Sequence, residues 1–98
     1  MPKVTVPTTR LLGNHPNPFN PRTTIRFELA NSAPVKIGIY SVDGLLVRRV
    51  NLGAQQPGVG QWIWDGNDDT GRRASSGTYY VTLQAGAFVD RLPVTLLK

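Results

Sequence analysis

The chain reads as an all-β protein, a two-sheet antiparallel sandwich of about seven strands, and three observations predict it. Apolar and polar residues alternate with period 2 through several short segments. Turn residues separate those segments at regular intervals, drawing on 10 glycines and 8 prolines among 98 residues. No window carries the 3.6-residue apolar spacing of an amphipathic helix.

The elements follow in order. Residues 1–10 (MPKVTVPTTR) mix Pro, Thr and Lys without periodicity and read as an extended linker or cloning remnant, with the domain proper over 11–98. Leu11–Asn14 is a short first strand. In Asn14–Pro21 (NHPNPFNP) closely spaced prolines fix φ and remove donors, so the segment is irregular. Phe19 is its only large apolar group and is expected to plug one end of the core. Thr23–Leu29 alternates cleanly, placing Ile25, Phe27 and Leu29 inward. Val35–Ser41 does the same with Val35, Ile37 and Ile39, and Asp43-Gly44 is a hairpin signal.

Leu46–Leu52 is irregular. Strict alternation sends Arg48 toward the core, while Val47 and Val50 have opposite parity, so a bulge or a sheet edge is predicted there. Gln61–Asp65 puts Trp62 and Trp64 on one face. Residues 66–77 form a long polar loop. Thr78–Ala85 places Tyr79, Val81 and Leu83 inward and Tyr80, Thr82 and Gln84 outward. The last strand, Phe88–Leu97, carries Pro93, which cannot donate to a ladder and assigns it to an edge or a bulge.

Composition excludes several function classes. Without Cys there is no disulfide staple, zinc-thiolate site or cysteine nucleophile. No apolar run approaches the ~18 residues of a membrane span, and no signal peptide is visible. Eleven basic against six acidic residues give a formal charge of +5, but the cations are scattered. Nucleic-acid binding calls for a concentrated stripe or a recognition helix, so none is expected. The same charge suits loose attraction to an anionic lipid or polysaccharide.

Candidate sites are few. His15 is the only histidine, no GxSxG elbow surrounds Ser32, Ser41, Ser75 or Ser76, and the adjacent Asp68 and Asp69 diverge on an extended chain. Neither a catalytic residue nor a cofactor site is therefore expected. Asp65, Asn67 and Asp69 resemble the start of a calcium loop. The EF-hand pattern nevertheless fails, because Thr70 and Ser76 stand where it needs Gly and Glu. Asx-rich turns are the simpler reading of these residues, with calcium as the alternative. Exposed indoles would suit a sugar-binding module, but the parity of Trp62 and Trp64 points to burial. Tyr40 and Tyr80 are the better exposed platform, and Tyr79 suits a tyrosine-corner hydrogen bond.

NHPNPFNPRTTIRFEL, VKIGIYSVDG, WDGNDDTGRRASSGTYYVTLQAG and a closing VTLLK, in that order, resemble one bacterial family over residues 11–98. It comprises the type A C-terminal sorting domain of the type IX secretion system (the Por secretion tail) and its relative, the immunoglobulin-like domain of the flagellar hook-capping protein. Pro16–Pro21 is the more specific block and Gly77–Tyr80 the weaker. His15 departs from the family, which commonly has an aromatic there.

The resemblance implies an immunoglobulin-like sandwich ending a larger secreted protein of a Gram-negative bacterium, and the stop at Lys98 fits such an end. It implies a non-catalytic sorting and surface-attachment module, whose partners are a secretion translocon and a sortase-like protease; a monomer is expected. Pro2–Arg10 would be the stretch the protease reaches. The expected partner surface is the last strand, Leu92, Val94, Leu96 and Lys98, with Arg72 and Arg73. Arg91 joins these arginines as a possible contact for an anionic lipopolysaccharide. Two alternatives come from other classes: a carbohydrate-binding or structural accessory module of a polysaccharide-degrading enzyme, and an assembly domain like that of the hook cap.

Overall fold

A computed structural model describes residues 8–97. Seven strands follow in order: β1 (Arg10–His15), β2 (Thr23–Leu29), β3 (Ala33–Ser41), β4 (Leu46–Gln55), β5 (Gly58–Trp64), β6 (Gly77–Ala85) and β7 (Phe88–Leu96). They form two antiparallel sheets, ordered β1-β2-β5 and β4-β3-β6-β7. This is the two-sheet antiparallel sandwich the alternation predicted, in the immunoglobulin-like form the resemblance implied.

The core lies between the sheets. Ile25, Phe27 and Leu29 from β2 meet Val35, Ile37 and Ile39 from β3, Val81 and Leu83 from β6, and Val94 and Leu96 from β7; all are at most 1% exposed. Each fully buried side chain of this kind contributes on the order of 1.5–3 kcal/mol by leaving water. The alternation of every strand named here therefore has one cause, a single apolar layer shared by both sheets.

Phe19 plugs the end of that layer as its sequence context predicts. Its ring is buried against Trp64 (centroids 5.3 Å apart), and Trp64 in turn meets the edge of Tyr79 at 5.5 Å. Main-chain bonds hold it there. The Phe19 N–H donates to the Thr95 carbonyl, and the Leu97 N–H donates to the Phe19 carbonyl, both at 2.9 Å. Asn17 Oδ1 accepts the Thr95 N–H at 3.0 Å. Thr23, a fully buried polar side chain, is satisfied within the same segment by Pro16 O and Asn14 Nδ2.

β4 resolves its parity conflict by both routes expected of it. It is an edge strand, and its pairing with β3 skips Val47 and Leu52, with Gly53 at φ +70° beside the second irregularity. Arg48 nevertheless pairs with Ile39 and so shares the inward face. The edge makes this tolerable. The guanidinium lies 5.9 Å from the Trp62 ring centroid of β5 and pairs with Asp69 at 3.4 Å, its side chain one-third exposed. β7 is the opposite edge, one of the two positions Pro93 allows, and the Leu11 N–H of β1 reaches across to Asp90 Oδ2 at 2.8 Å.

Candidate binding surfaces

The residues expected to face a partner on β7 do not all do so. Val94 and Leu96 are fully buried and Leu92 is half-buried against the core. Period 2 is the reason: with Tyr79, Val81 and Leu83 inward on β6, their direct partners Val94 and Leu92 share that face. What β7 offers to solvent is the other set, Val89, Arg91 and Pro93. Lys98 and residues 1–7 lie outside the described residues, so most of the expected protease-accessible stretch, Pro2–Arg10, is among them. At its near end Thr9 Oγ1 accepts the Ala30 N–H, and Arg10 already belongs to β1.

Arg73 is a clamp. Its Nη1 donates to the carbonyls of Pro21 at 2.9 Å and Asp65 at 2.6 Å, tying the polar loop to the plug segment. Arg72 is exposed, and its N–H donates to Asp68 Oδ1. The two neighbouring arginines thus have different tasks, and Arg72 is the one with its guanidinium free of hydrogen bonds among the described residues.

The acidic loop is organised by its own turns. Asp65 Oδ1 accepts the Asn67 N–H, and Asp68 Oδ1 accepts the Thr70 hydroxyl, the Thr70 N–H and the Arg72 N–H. The Thr70 hydroxyl, with those main-chain donors, holds the Asp68 carboxyl below its ordinary range. Asp69 turns toward β4, where its carboxylate takes the Arg49 N–H and its own N–H donates to the Val47 carbonyl. Of the three calcium candidates two stay together, Asp65 capping a turn and accepting a bond from Asn67 Nδ2 at 3.4 Å while the Asn67 carbonyl accepts the Trp64 indole N–H. Asp69 turns away to cover a strand edge. Among the described residues no three His, Cys, Asp or Glu side chains gather as a metal-holding cluster.

The indoles split. Trp64 is fully buried, whereas Trp62 is half-buried beneath Arg48, so neither is a free platform. Tyr79 makes the corner expected of it, its hydroxyl donating to the Ser75 carbonyl four residues upstream. Burial pushes this phenol above its ordinary pKa of 10.0.

The outward face of the four-stranded sheet is the surface that sequence reading saw only in part. Register lines its side chains into cross-strand rows. One row runs Arg49 (β4), Gly38 (β3), Thr82 (β6), Arg91 (β7), and the row below it runs Asn51, Lys36, Gln84, Val89. Tyr40 and Tyr80 stand directly opposite each other in the row above. The Tyr40 ring lies down over Gly38, where a Cβ would come within 2.8 Å of it. Two shallow grooves of about 430 and 490 Å³ flank the ring, and both are lined by Tyr40 and Thr82. Alternation had marked Tyr40 and Tyr80 as outward. The row that joins Arg49 to Arg91 was invisible, because it depends on the registers of three strand pairs.

The pattern of known proteins agrees with this architecture. The FlgD Ig-like domain family matches residues 16–87, which covers the plug segment and every strand from β2 to β6. The chain belongs to that family. Among solved structures, FlgD from P. aeruginosa shares 28% identity at a TM-score of 0.63, covering 76% of this chain and 58% of that one. FlgD from Xanthomonas campestris, described there as bearing on the hook capping essential for flagellar assembly, aligns at 16% identity and TM-score 0.62 over 93% of this chain and 62% of its own. PorZ from Porphyromonas gingivalis, described as an essential bacterial surface component of the type-IX secretion system, aligns at 18% identity and TM-score 0.60 over 87% of this chain and 11% of its own. At such identities the last two speak to the fold alone. The chain spans less than two thirds of each of these proteins. No curated protein sequence matches it.

Proposed function

We propose that this FlgD-type immunoglobulin-like domain is a non-catalytic sorting and surface-attachment module, carried by a larger secreted protein of a Gram-negative bacterium and read as a folded body by a type IX secretion machine. Recognition, not bond chemistry, is then its mechanism, with the translocon and a sortase-like protease as partners. The product is secreted or held at the cell surface.

The junction of Phe19 with β7 carries this reading. Two of the four blocks that carry the resemblance, the one holding Pro16–Pro21 and the closing strand, are far apart in sequence, yet they meet through paired main-chain bonds at Phe19, Thr95 and Leu97. Main-chain bonds from both Phe19 groups give a folded tag a fixed surface at this end for such a machine to read. Fusing the domain to a reporter in a host with type IX secretion tests it. The reporter is expected outside the outer membrane, and the Phe19→Ala fusion in the periplasm. A reporter that stays in the periplasm with the domain intact overturns the proposal.

The family match and the 28% identity to a FlgD protein favour a second reading, an assembly domain resembling the one in hook-capping proteins. Exchanging the chain for the corresponding domain of such a protein tests it. Restored motility supports assembly, and a non-motile strain with normal levels of the hybrid counts against it.

A further inference from the structure

We propose that the outward face of the β4-β3-β6-β7 sheet binds an acidic, uronate-bearing polysaccharide, with the Tyr40 ring as its stacking platform. The inference goes beyond the sorting reading and rests on different residues.

Gly38 is the first observation. It is one of the glycines without a positive φ, so backbone conformation does not require it. Its missing Cβ has a different effect: the Tyr40 ring reaches into that space, its Cε2 2.8 Å and its Cζ and hydroxyl oxygen 3.3 Å from where a Cβ would stand. The ring stays part-exposed beside both grooves, and the polarised C–H face of a pyranose packs against exposed aromatic surface of this kind. Hydroxyl and amide groups of Thr82, Asn51 and Gln84 line the grooves beside it, suited to sugar hydroxyls.

Charge is the second. Arg49 and Arg91 end the row that passes under the ring, three strand spacings or about 14 Å apart, and Lys36 lies in the next row. None of the three is ion-paired among the described residues. None of the six acidic residues lines either groove. One carboxylate, Asp43, borders the second groove in the turn between Val42 and Gly44, and the three cations outweigh it. Asp69 is taken up by Arg48 and the Arg49 N–H, and Asp90 by the N–H groups of Leu11 and Arg91. The face is thus a neutral aromatic centre between cations, complementary to carboxylates carried on successive sugars.

Geometry selects among anionic chains. β3 and β6 are interior strands, paired on both sides, so a peptide has no free ladder to extend on this face. Single-stranded nucleic acid stacks successive bases on successive platforms, whereas Tyr40 and Tyr80 form one directly opposed pair.

Affinity electrophoresis of the chain through polygalacturonate, dextran, poly-L-glutamate and an oligothymidylate, in ~0.1 M salt to screen long-range attraction, tests the proposal. Retardation by polygalacturonate above the other three is expected. Tyr40→Ala is expected to weaken it about tenfold, equivalent to 1.4 kcal/mol. Tyr40→Leu, which refills the bed over Gly38 without a flat ring, serves if the alanine variant melts early. The Arg49→Gln/Arg91→Gln pair is expected to weaken binding similarly, and Arg26→Gln, on the exposed face of the other sheet, to leave it unchanged. The proposal is overturned by absent polygalacturonate binding, by equal binding of polyglutamate or oligothymidylate, or by full binding in the folded Tyr40 variants.

Discussion

Phe19 and Leu96 form a one-residue parallel bridge, the Phe19 N–H and C=O bonding to the residues on either side of Leu96. Both side chains are buried, so the contact couples a main-chain stitch to the apolar layer. A proline-rich segment, poor in donors of its own, thereby acquires a fixed position at the end of the sandwich.

Removing the ring tests that role. Phe19→Ala is expected to cost about 3–5 kcal/mol, since Trp64 and Leu96 cannot collapse fully into the space. Urea unfolding measures it, and a loss under about 1 kcal/mol is incompatible with a plug.

Two glycines should respond differently to the same methyl group. A Cβ at Gly60 meets the buried Phe27 ring at 2.5–2.6 Å, and Phe27 has no open side to move into. Gly60→Ala is expected to cost about 1–3 kcal/mol. At Gly38 the obstacle is the half-exposed Tyr40 ring, which can lift away, so Gly38→Ala should stay within about 0.5 kcal/mol of wild type. The reverse order of melting temperatures would contradict this account.

Tyr79→Phe removes the hydroxyl bond to Ser75 and is expected to cost about 0.5–1.5 kcal/mol at neutral pH. Its pH dependence has a definite sign. The folded-state pKa lies above the ordinary 10.0, so the phenol's contribution is fully present below pH 10 and is lost as pH rises through the raised value. Stability of wild type relative to Tyr79→Phe should therefore fall above pH 10. A difference that is flat or grows there fails the prediction.

Arg48 is an inward cation at an edge, with its Nε buried and unbonded. Arg48→Met keeps the stem on Trp62 and removes that orphan donor. It should lie within about 1 kcal/mol of wild type, the value of a part-exposed ion pair. Arg48→Glu sets a carboxylate beside Asp69 and should be clearly worse. Chemical denaturation of both variants decides it, and a methionine variant less stable than the glutamate one would refute it.

Much of this was legible in the residue pattern. Ile25, Phe27 and Leu29, or Val35, Ile37 and Ile39, declare their face because period 2 is a local property of an extended chain. Val94 and Leu96 obey the same alternation, which buries them and leaves any partner surface of β7 to its other face. Arg73 looked like a free cation because the carbonyls it clamps, Pro21 and Asp65, are distant or main-chain groups that carry no sequence signal.

The chain's own alternation, prolines and turn residues determined that it is a seven-stranded sandwich, where its core residues lie and that Phe19 closes one end. Only the tertiary structure decided which strands neighbour each other and in what register. That decision placed Arg48 over Trp62, turned Asp69 onto the β4 edge and aligned Arg49, Gly38, Thr82 and Arg91 in one row, with Gly38 beneath the Tyr40 ring. The physical reason is the range of the interactions. Side-chain direction along a strand follows from the backbone next door, but a cross-strand row exists only once hydrogen-bond ladders between distant segments have locked.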